Sequence, residues 1–371
     1  MTQRKNVDLL IVLNIFGHHR NEKQQIEYYK ESIRGIQKQI SNSPDHSFRV
    51  VVSACMVSGD CVQTLKKEFG DEIHVFHFQD RYTCQVTTNS TVLKAIEHFN
   101  EEYEGYLYYS SGIFFADDSE DIQPTQITNE HNKRDVINTR TGNPKIFDSI
   151  VKKLKTEKYG IIQLQVSDDH GYHFLGFGQN NWVSRINFQY DYVIPIGNHG
   201  NFHIAAIHKS LKDYYGKPIS DIHGFCGMES TLSYCCAALR KQYILMGDSL
   251  VVHHQKFDND HSAPGRMLNT NGVKVIGCQG ANDDPCRDLL WGRRKEEISN
   301  DPSAIEYGLG YYPGPASCNE VDWNGVRLVH KADKYDNNYL TLEPKLKEAV
   351  KRLFYTNETE LNYDHICCEI F

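Results

Sequence analysis

The sequence predicts an α/β fold, a mostly parallel sheet flanked by helices and followed by a loop-rich C-terminal extension. Three observations predict it. Stretches such as Asp8–Phe16 (DLLIVLNIF) and Phe48–Ala54 (FRVVVSA) are apolar without alternation, as strands are when both faces of their sheet are covered. Segments with apolar positions at helical spacing separate them, the pattern of right-handed β-α-β units. The strands end in polar or glycine-containing steps, and beyond Gln255 the periodicity gives way to turns rich in Asn, Asp, Gly and Pro.

Taken in order, Asp8–Phe16 is the first strand and stops at Gly17-His18-His19. A helix over Glu22–Ile40 carries Ile26, Tyr29, Ile33, Ile36 and Ile40 on one stripe. The second strand, Phe48–Ala54, is followed by Ser58-Gly59-Asp60 and a helix through Leu65 and Phe69. A third strand, Ile73–Phe78, precedes a helix over Thr87–Phe99, with Val92, Leu93, Ile96 and Phe99 inward and Asn89 or Ser90 as its cap. The central strand Tyr106–Phe115 lies within YLYYSSGIFFADD and is broken once, at Ser110-Ser111-Gly112. Downstream, the pattern gives an acidic and polar segment Asp117–Arg140, a short helix Ile146–Leu154, a strand Ile161–Val166 and the polar cluster Asp168-Asp169-His170 with His173. A strand at Tyr192–Ile196, helices at His203–Tyr214 and Met228–Arg240, strands at Tyr243–Met246 and Ser249–His253, and a last helix at Leu346–Phe354 complete it.

Composition narrows the function classes. The 371 residues are long enough for one large or two medium domains, and 40% hydrophobic with 11% aromatic content excludes a disordered chain. A net charge of −8 with interspersed signs argues against nucleic acid as a partner. No apolar run approaches a membrane span, and the N-terminus MTQRKN runs into a strand without a signal-peptide core, so a soluble cytoplasmic protein is expected. The 11 cysteines contain no CxxC pair, which makes most of them small core residues rather than a disulfide framework or zinc ribbon.

In open α/β sheets ligands bind beyond the carboxyl ends of strands. That rule selects Asn14–His19, Ser53–Asp60 and Ser110–Gly112. Asn14 adds a specific signal, because a polar residue inside an apolar strand needs a partner. Neither GxGxxG after the first strand nor GxxxxGK[ST] occurs, which excludes a conventional NAD site and a P-loop.

Four features across Asp8–His254 together resemble the GT-A type of nucleotide-sugar glycosyltransferase, with its Rossmann-like sheet. They are the opening β-α series with polar strand ends, the asparagine-containing helix start TTNSTVLKA at Thr87–Ala95, the segment NFHIAAIHKSLKDYYGKP at Asn201–Pro218, and Gly227-Met228-Glu229 followed by a helix and a strand ending in His253-His254. The resemblance implies a donor half over 1–116, an acceptor and catalytic half over 117–254 of the same domain, and an extension over 255–371. It implies a UDP- or GDP-sugar donor and a glycan or other hydroxyl acceptor, with Glu229 as the base. Asn14, Ser53, Asp60, Asn89, Ser110, Ser111, Gly112 and His254 would then line the donor site. Asp60 has the alternative of an ordinary helix cap, and Glu229 that of a first-turn acid favoured by the helix dipole.

At the end of the central strand this family usually places Asp-x-Asp, which holds a divalent ion on the diphosphate; here the step is Ser110-Ser111-Gly112. Three explanations stand. Hydroxyls, backbone N–H groups and cations hold the diphosphate without metal; or Asp117 and Asp118, with His253, hold Mn²⁺ or Mg²⁺; or the fold is kept and the activity lost. The last makes the chain a non-catalytic sugar- or nucleotide-binding protein. Tyr172, Phe174, Phe177 and Trp182, near the Asp168 cluster, are either a stacking platform for an acceptor sugar or ordinary core. A third class, a metal-dependent hydrolase or oxygenase built on His253, His254, Asp258 and His261, matches no spacing that such sites require.

Overall fold

A computed structural model describes residues 4–16, 22–80, 82, 84–115, 143–168, 172–174, 182–184, 191–193, 204–219, 235–236, 239, 241–253 and 363–371. The first 110 residues alternate as expected: β1 (Lys5–Phe16), α1 (Glu22–Ser41), β2 (Phe48–Cys55), α2 (Gly59–Phe69), β3 (His74–Phe78), α3 (Cys84–Phe99) and β4 (Glu101–Ser110). There follow β5 (Ile113–Phe115), α4 (Ile146–Leu154), β6 (Tyr159–Asp168), β7 (Tyr172–Phe174), β8 (Trp182–Ser184), β9 (Tyr192–Val193), β10 (Ile204–His208), α5 (Lys209–Tyr215), β11 (Gln242–His253) and β12 (Glu369–Ile370). The main path of the sheet runs β12-β3-β2-β1-β4-β10-β6-β11-β5. Strands β3, β2, β1 and β4 are mutually parallel, whereas beyond β4 the sheet is mixed, with β10 antiparallel to both β4 and β6 and β11 parallel to β6.

Side-chain alternation in β1 and β2 sorts the core into two layers. Leu9, Ile11, Leu13, Val50 and Val52 pack with Ile33 and Ile36 of α1, Val62 and Leu65 of α2 and Ile150 of α4. Leu10, Val12, Val51 and Cys55 point the other way, onto Val86, Val92 and Ala95 of α3. Burying such side chains contributes about 1.5–3 kcal/mol each, which is why strands apolar on both faces occupy the centre. Gly105 of β4 shows how closely the layers meet. A Cβ there would lie 2.6 Å from Leu154 Cδ1 and 2.9 Å from the Ile207 carbonyl oxygen. Gly105→Ala is therefore expected to cost about 1–3 kcal/mol by overpacking, read as a lower urea midpoint at unchanged slope.

Several elements differ from the sequence expectation. The segment 203–214 was expected as one helix; instead Ile204–His208 is a strand between β4 and β6, and the helix begins only at Lys209. Ile204, Ala205, Ala206 and Ile207 are all wholly buried, and this placement outweighs the helix preference of the alanines. Helix α3 starts at Cys84, so Asn89 and Ser90 lie within it rather than at its cap. The two expected strands at 243–253 are one strand, irregular between Leu245 and Leu250. The expected central strand 106–115 is two strands, and β5 pairs not with a neighbour of β4 but with β11. The C-terminal extension is not loop at its very end: Glu369 and Ile370 pair with His77 and Phe76 at the β3 edge, and Ile366 is buried against the α3 layer.

The separation of β4 from β5 shapes the site. Four strand spacings of about 4.8 Å lie between them along the sheet, yet the link Ser111-Gly112 spans at most about 11 Å. The sheet must curl, and the irregularity in β11 supplies the bend. Asp248 takes a φ of 48° there; Gln165 Nε2 donates to the Met246 carbonyl at 2.7 Å and Gly247 N to Asp191 Oδ1 at 2.9 Å. Among the described residues no helix is long and apolar enough to cross a membrane. Cys55, Cys61, Cys235 and Cys236 are buried, outside any disulfide, as small core residues.

Candidate functional site

Three of the sequence-selected residues form one row. Asn14 of β1 is the register partner of Ser53 in β2 on one side and of Ser110 in β4 on the other. Alternation places all three on the α3 face, since Leu10, Val12, Val51 and Tyr106 pack there. Asn14 is 3% exposed and fully engaged. Its Oδ1 accepts from Thr88 Oγ1 at 2.8 Å, and its Nδ2 donates to the carbonyls of Val12 at 3.3 Å and Tyr109 at 3.4 Å. Ser53 Oγ, wholly buried beside it, has no hydrogen-bond partner among the described residues. Ser110 is partly exposed and its hydroxyl donates to the Tyr108 phenol at 3.4 Å.

Helix α3 covers this row with polar groups. Gln85, Thr87, Thr88, Asn89, Ser90 and Thr91 are all buried, an unusual content for a helix set against a sheet. Thr, Ser and Asn are poor helix formers, so tertiary packing holds this half of α3 in place. The hydroxyls of Ser90 and Thr91, like that of Ser53, lack partners among the described residues. Asn89 is committed to the protein itself: its amide donates to the Ile219 carbonyl at 2.7 Å and to the Tyr363 hydroxyl at 2.9 Å, and its Oδ1 accepts from Ile219 N at 3.0 Å. The ammonium of Lys217, itself 7% exposed, sits 5.7 Å from the Tyr363 ring. Lys217 and Tyr363 were not selected from the sequence. The first lay within the quoted segment Asn201–Pro218 but in no recognisable chemical motif, and the second lies where the periodicity had faded.

The step after β4 is a tight turn. Ser111 N donates to the Asn14 carbonyl at 3.0 Å, and Gly112 takes a φ of 86°, which a side chain tolerates poorly. Immediately beyond it, Ile113 is the register partner of His253 in β11, and His253 that of Asp168 in β6. The fold thus brings the end of the central strand, the first histidine of the His253-His254 pair and the start of the Asp168 cluster into one row of backbone. Next to it the β7–β8 pair sets Phe174 opposite Trp182 and Tyr172 opposite Ser184.

Asp60 stands apart. It lies exposed in the first turn of α2, whose buried residues pack on the face opposite α3. Ser58, not Asp60, caps that helix, accepting from Cys61 N at 3.1 Å. Glu229, His254, Asp117, Asp118, His18, His19, Asp169, His170, Phe177, Asp258 and His261 lie outside the described residues, as does the predicted helix 346–354.

The Ser53–Asn14–Ser110 row carries no charged side chain, so its chemistry is that of hydrogen bonding to hydroxyls and phosphate oxygens. Burial pushes the phenols of Tyr106 and Tyr109 far above their usual range, and they remain neutral donors. Among the described residues no group of three or more His, Cys, Asp or Glu could hold a metal ion. Hydroxyls and a glycine do not replace the carboxylates that Mn²⁺ or Mg²⁺ requires, so the Ser110–Gly112 step does not fit a divalent ion.

No protein-family model and no curated protein matches the sequence. Solved structures do. The chain is similar to GalNAc-T7, solved with UDP, GalNAc and Mn²⁺, at a TM-score of 0.41 and 9% identity over 67% of this chain and 44% of that one. It is similar to S. aureus TarS at a TM-score of 0.39 and 10% identity over 67% of this chain and 35% of that one. It is also similar to the mannosyltransferase PcManGT from Pyrobaculum calidifontis, in complex with GDP-Man and Mn²⁺, at 0.41 and 10% over 94% and 74%. The chain spans less than half the length of the first two.

Proposed function

We propose that this chain is a glycosyltransferase that moves a sugar from a UDP- or GDP-sugar to a hydroxyl of a glycan or other acceptor, holding the donor without a metal ion. The observation that carries the proposal is the Ser53–Asn14–Ser110 row at the carboxyl ends of three parallel strands, under a helix with a buried polar half. Asn14 and Ser53 are buried and hold the strand ends beneath α3, while the partly exposed Ser110 and Ser111 present hydroxyls to the phosphate oxygens of a nucleoside diphosphate. The sequence resemblance at Thr87–Ala95, Gly227–Glu229 and His253-His254 points to the same class. In the inverting form of the reaction, Glu229 takes the proton of the acceptor hydroxyl as its oxygen bonds to the sugar and the bond to the diphosphate breaks. Charge growing on the departing diphosphate is then met by the hydroxyls of Ser110 and Ser111.

The test is a thermal-shift and calorimetric panel of UDP, GDP, CDP and their common sugars in EDTA and in Mn²⁺. A ligand at 100 times its Kd stabilises the native state by about 2.7 kcal/mol. One nucleotide is expected to shift the midpoint in EDTA, and no shift with any of them would sink the proposal. Glu229→Gln should keep that binding while transfer falls by about 10²-fold or more. The uncharged step favours one second reading, a non-catalytic nucleotide- or sugar-binding protein; it predicts binding without transfer in the unaltered chain.

A further inference from the structure

We propose that Tyr109, together with Ser32 of α1, is a positioning residue that clamps the Ser111-Gly112 turn and so presets the part of the site where the donor diphosphate would lie. The Tyr109 phenol reaches past the turn and donates to the carbonyl of Ile113, four residues on. The Ser32 hydroxyl lies 3.4 Å from the same carbonyl. Both side chains are wholly buried, on the face opposite the Ser53–Asn14–Ser110 row. On the near side, Ser111 N is tied to the Asn14 carbonyl. The turn is therefore held from before and after, by a backbone bond within the sheet and by side chains on the α1 face.

The surroundings show why such a clamp is needed. Gly112 can leave its conformation at little steric cost, because glycine is permissive and a Cβ built on it would meet nothing within 4 Å. Beyond the turn, packing resumes at β5. There the Tyr28 and Phe114 rings lie 5.9 Å apart, Phe115 and Phe147 5.4 Å apart, and a Cβ on Gly35 would come within 3.3 Å of Phe115. Helix α1 thus seats β5 by packing, while the phenol and the serine fix the carbonyl that joins β5 to the turn. That carbonyl belongs to the residue paired with His253, so the clamp also sets the distance between the central-strand end and the end of β11. A preset turn spends no binding energy on ordering itself when a ligand arrives.

The clamp stands on the geometry alone; its effect on a donor rests on the function proposed above, and the experiment separates the two. Hydrogen exchange of the full-length chain is compared with Tyr109→Phe, with Tyr109→Phe/Ser32→Ala, and with Tyr106→Phe as a control that deletes a phenol from the same strand on the α3 face. Exchange at the Ser111, Gly112 and Ile113 amides is expected to quicken at least about tenfold in the Tyr109 variants, with Val12 and Val51 unchanged. Affinity for whichever of UDP or GDP binds the unaltered chain is expected to fall about fivefold or more, measured well below the melting point, and not in the control. A residue that only packs would lower the melting point without moving that affinity. Unchanged exchange at residues 111–113 overturns the clamp. Faster exchange with unchanged affinity overturns the positioning role. If neither nucleotide binds the unaltered chain, the proposed function fails and the exchange data alone decide the clamp.

Discussion

Asn14→Asp is expected to destabilise the protein by about 3–5 kcal/mol at pH 7, the cost of an uncompensated buried charge. The change swaps one NH₂ for an oxygen of nearly the same size, so packing is untouched and the loss is electrical. Nδ2 faces the carbonyls of Val12 and Tyr109, and a carboxylate oxygen there meets two acceptors with no proton between them. Water cannot help, because the side chain is 3% exposed. The introduced acid escapes by staying protonated, which raises its folded pKa above the unfolded value of about 3.9. A group raised in this way retains its stability below the unfolded pKa and loses it as pH rises, at about 1.36 kcal/mol per unit until the folded pKa is passed. The deficit relative to the unaltered chain should therefore shrink by about 2–3 kcal/mol between pH 7 and pH 5. Urea unfolding of both proteins at the two pH values measures it. An equal deficit at both would mean that Asn14 acts through shape and not through its donors.

Asn14 also shows how far the site was legible. A lone amide inside DLLIVLNIF needs a partner, and that local fact needed no structure. Its partners did need one. Thr88 is 74 residues away, and register with Ser53 and Ser110 follows from which strands pair, which no single segment encodes. Asn89 illustrates the opposite case: the pattern around it resembled a ligand-binding helix start, yet its amide holds Ile219 and Tyr363. The sequence could not distinguish the two uses, since a buried asparagine must be satisfied either way.

The fold was legible where burial was uniform and illegible where it depended on neighbours. Strands β1 and β2 and helix α1 were found nearly to their ends, because an apolar strand with both faces covered and a one-stripe helix each leave a local signature. Ile204–His208 has isoleucines three apart around two alanines, which reads as a helix, and becomes a strand only because β4 and β6 leave a slot between them. The turn at Ser111-Gly112 was visible as a polar break, but its consequence, a strand carried across to β11, belongs to the curl of the whole sheet.

The amino ends of β2 and β4 hold an ion pair whose two partners are unequally buried. Arg49 Nη2 and Nε donate to Glu101 Oε1 and Oε2 at 2.6 Å and 3.1 Å, a bidentate pair, and the Tyr103 hydroxyl donates to the same carboxylate at 2.9 Å. The guanidinium also lies 4.4 Å from the centre of the Phe99 ring. The Glu101 side chain is 3% exposed and that of Arg49 28%. Removing either leaves the other uncompensated, but only Arg49 can turn toward water. Arg49→Leu is thus expected to cost more, toward 5 kcal/mol, and Glu101→Leu less, nearer 3 kcal/mol, while the double replacement should cost less than Arg49→Leu alone. Burial by itself would raise the Glu101 pKa, yet the hydrogen bonds from Arg49 and Tyr103 outweigh it and hold the carboxyl below the usual glutamate range. A depressed carboxyl contributes stability above its unfolded pKa and loses it as pH falls through the folded one. The unaltered chain should therefore lose this contribution only below about pH 4.5, and Glu101→Leu should lack that part of the acid transition. A double-mutant cycle in urea at pH 7 settles the ordering. Costs that simply add would show that the two charges do not depend on each other, and that β2 and β4 are held here by packing alone.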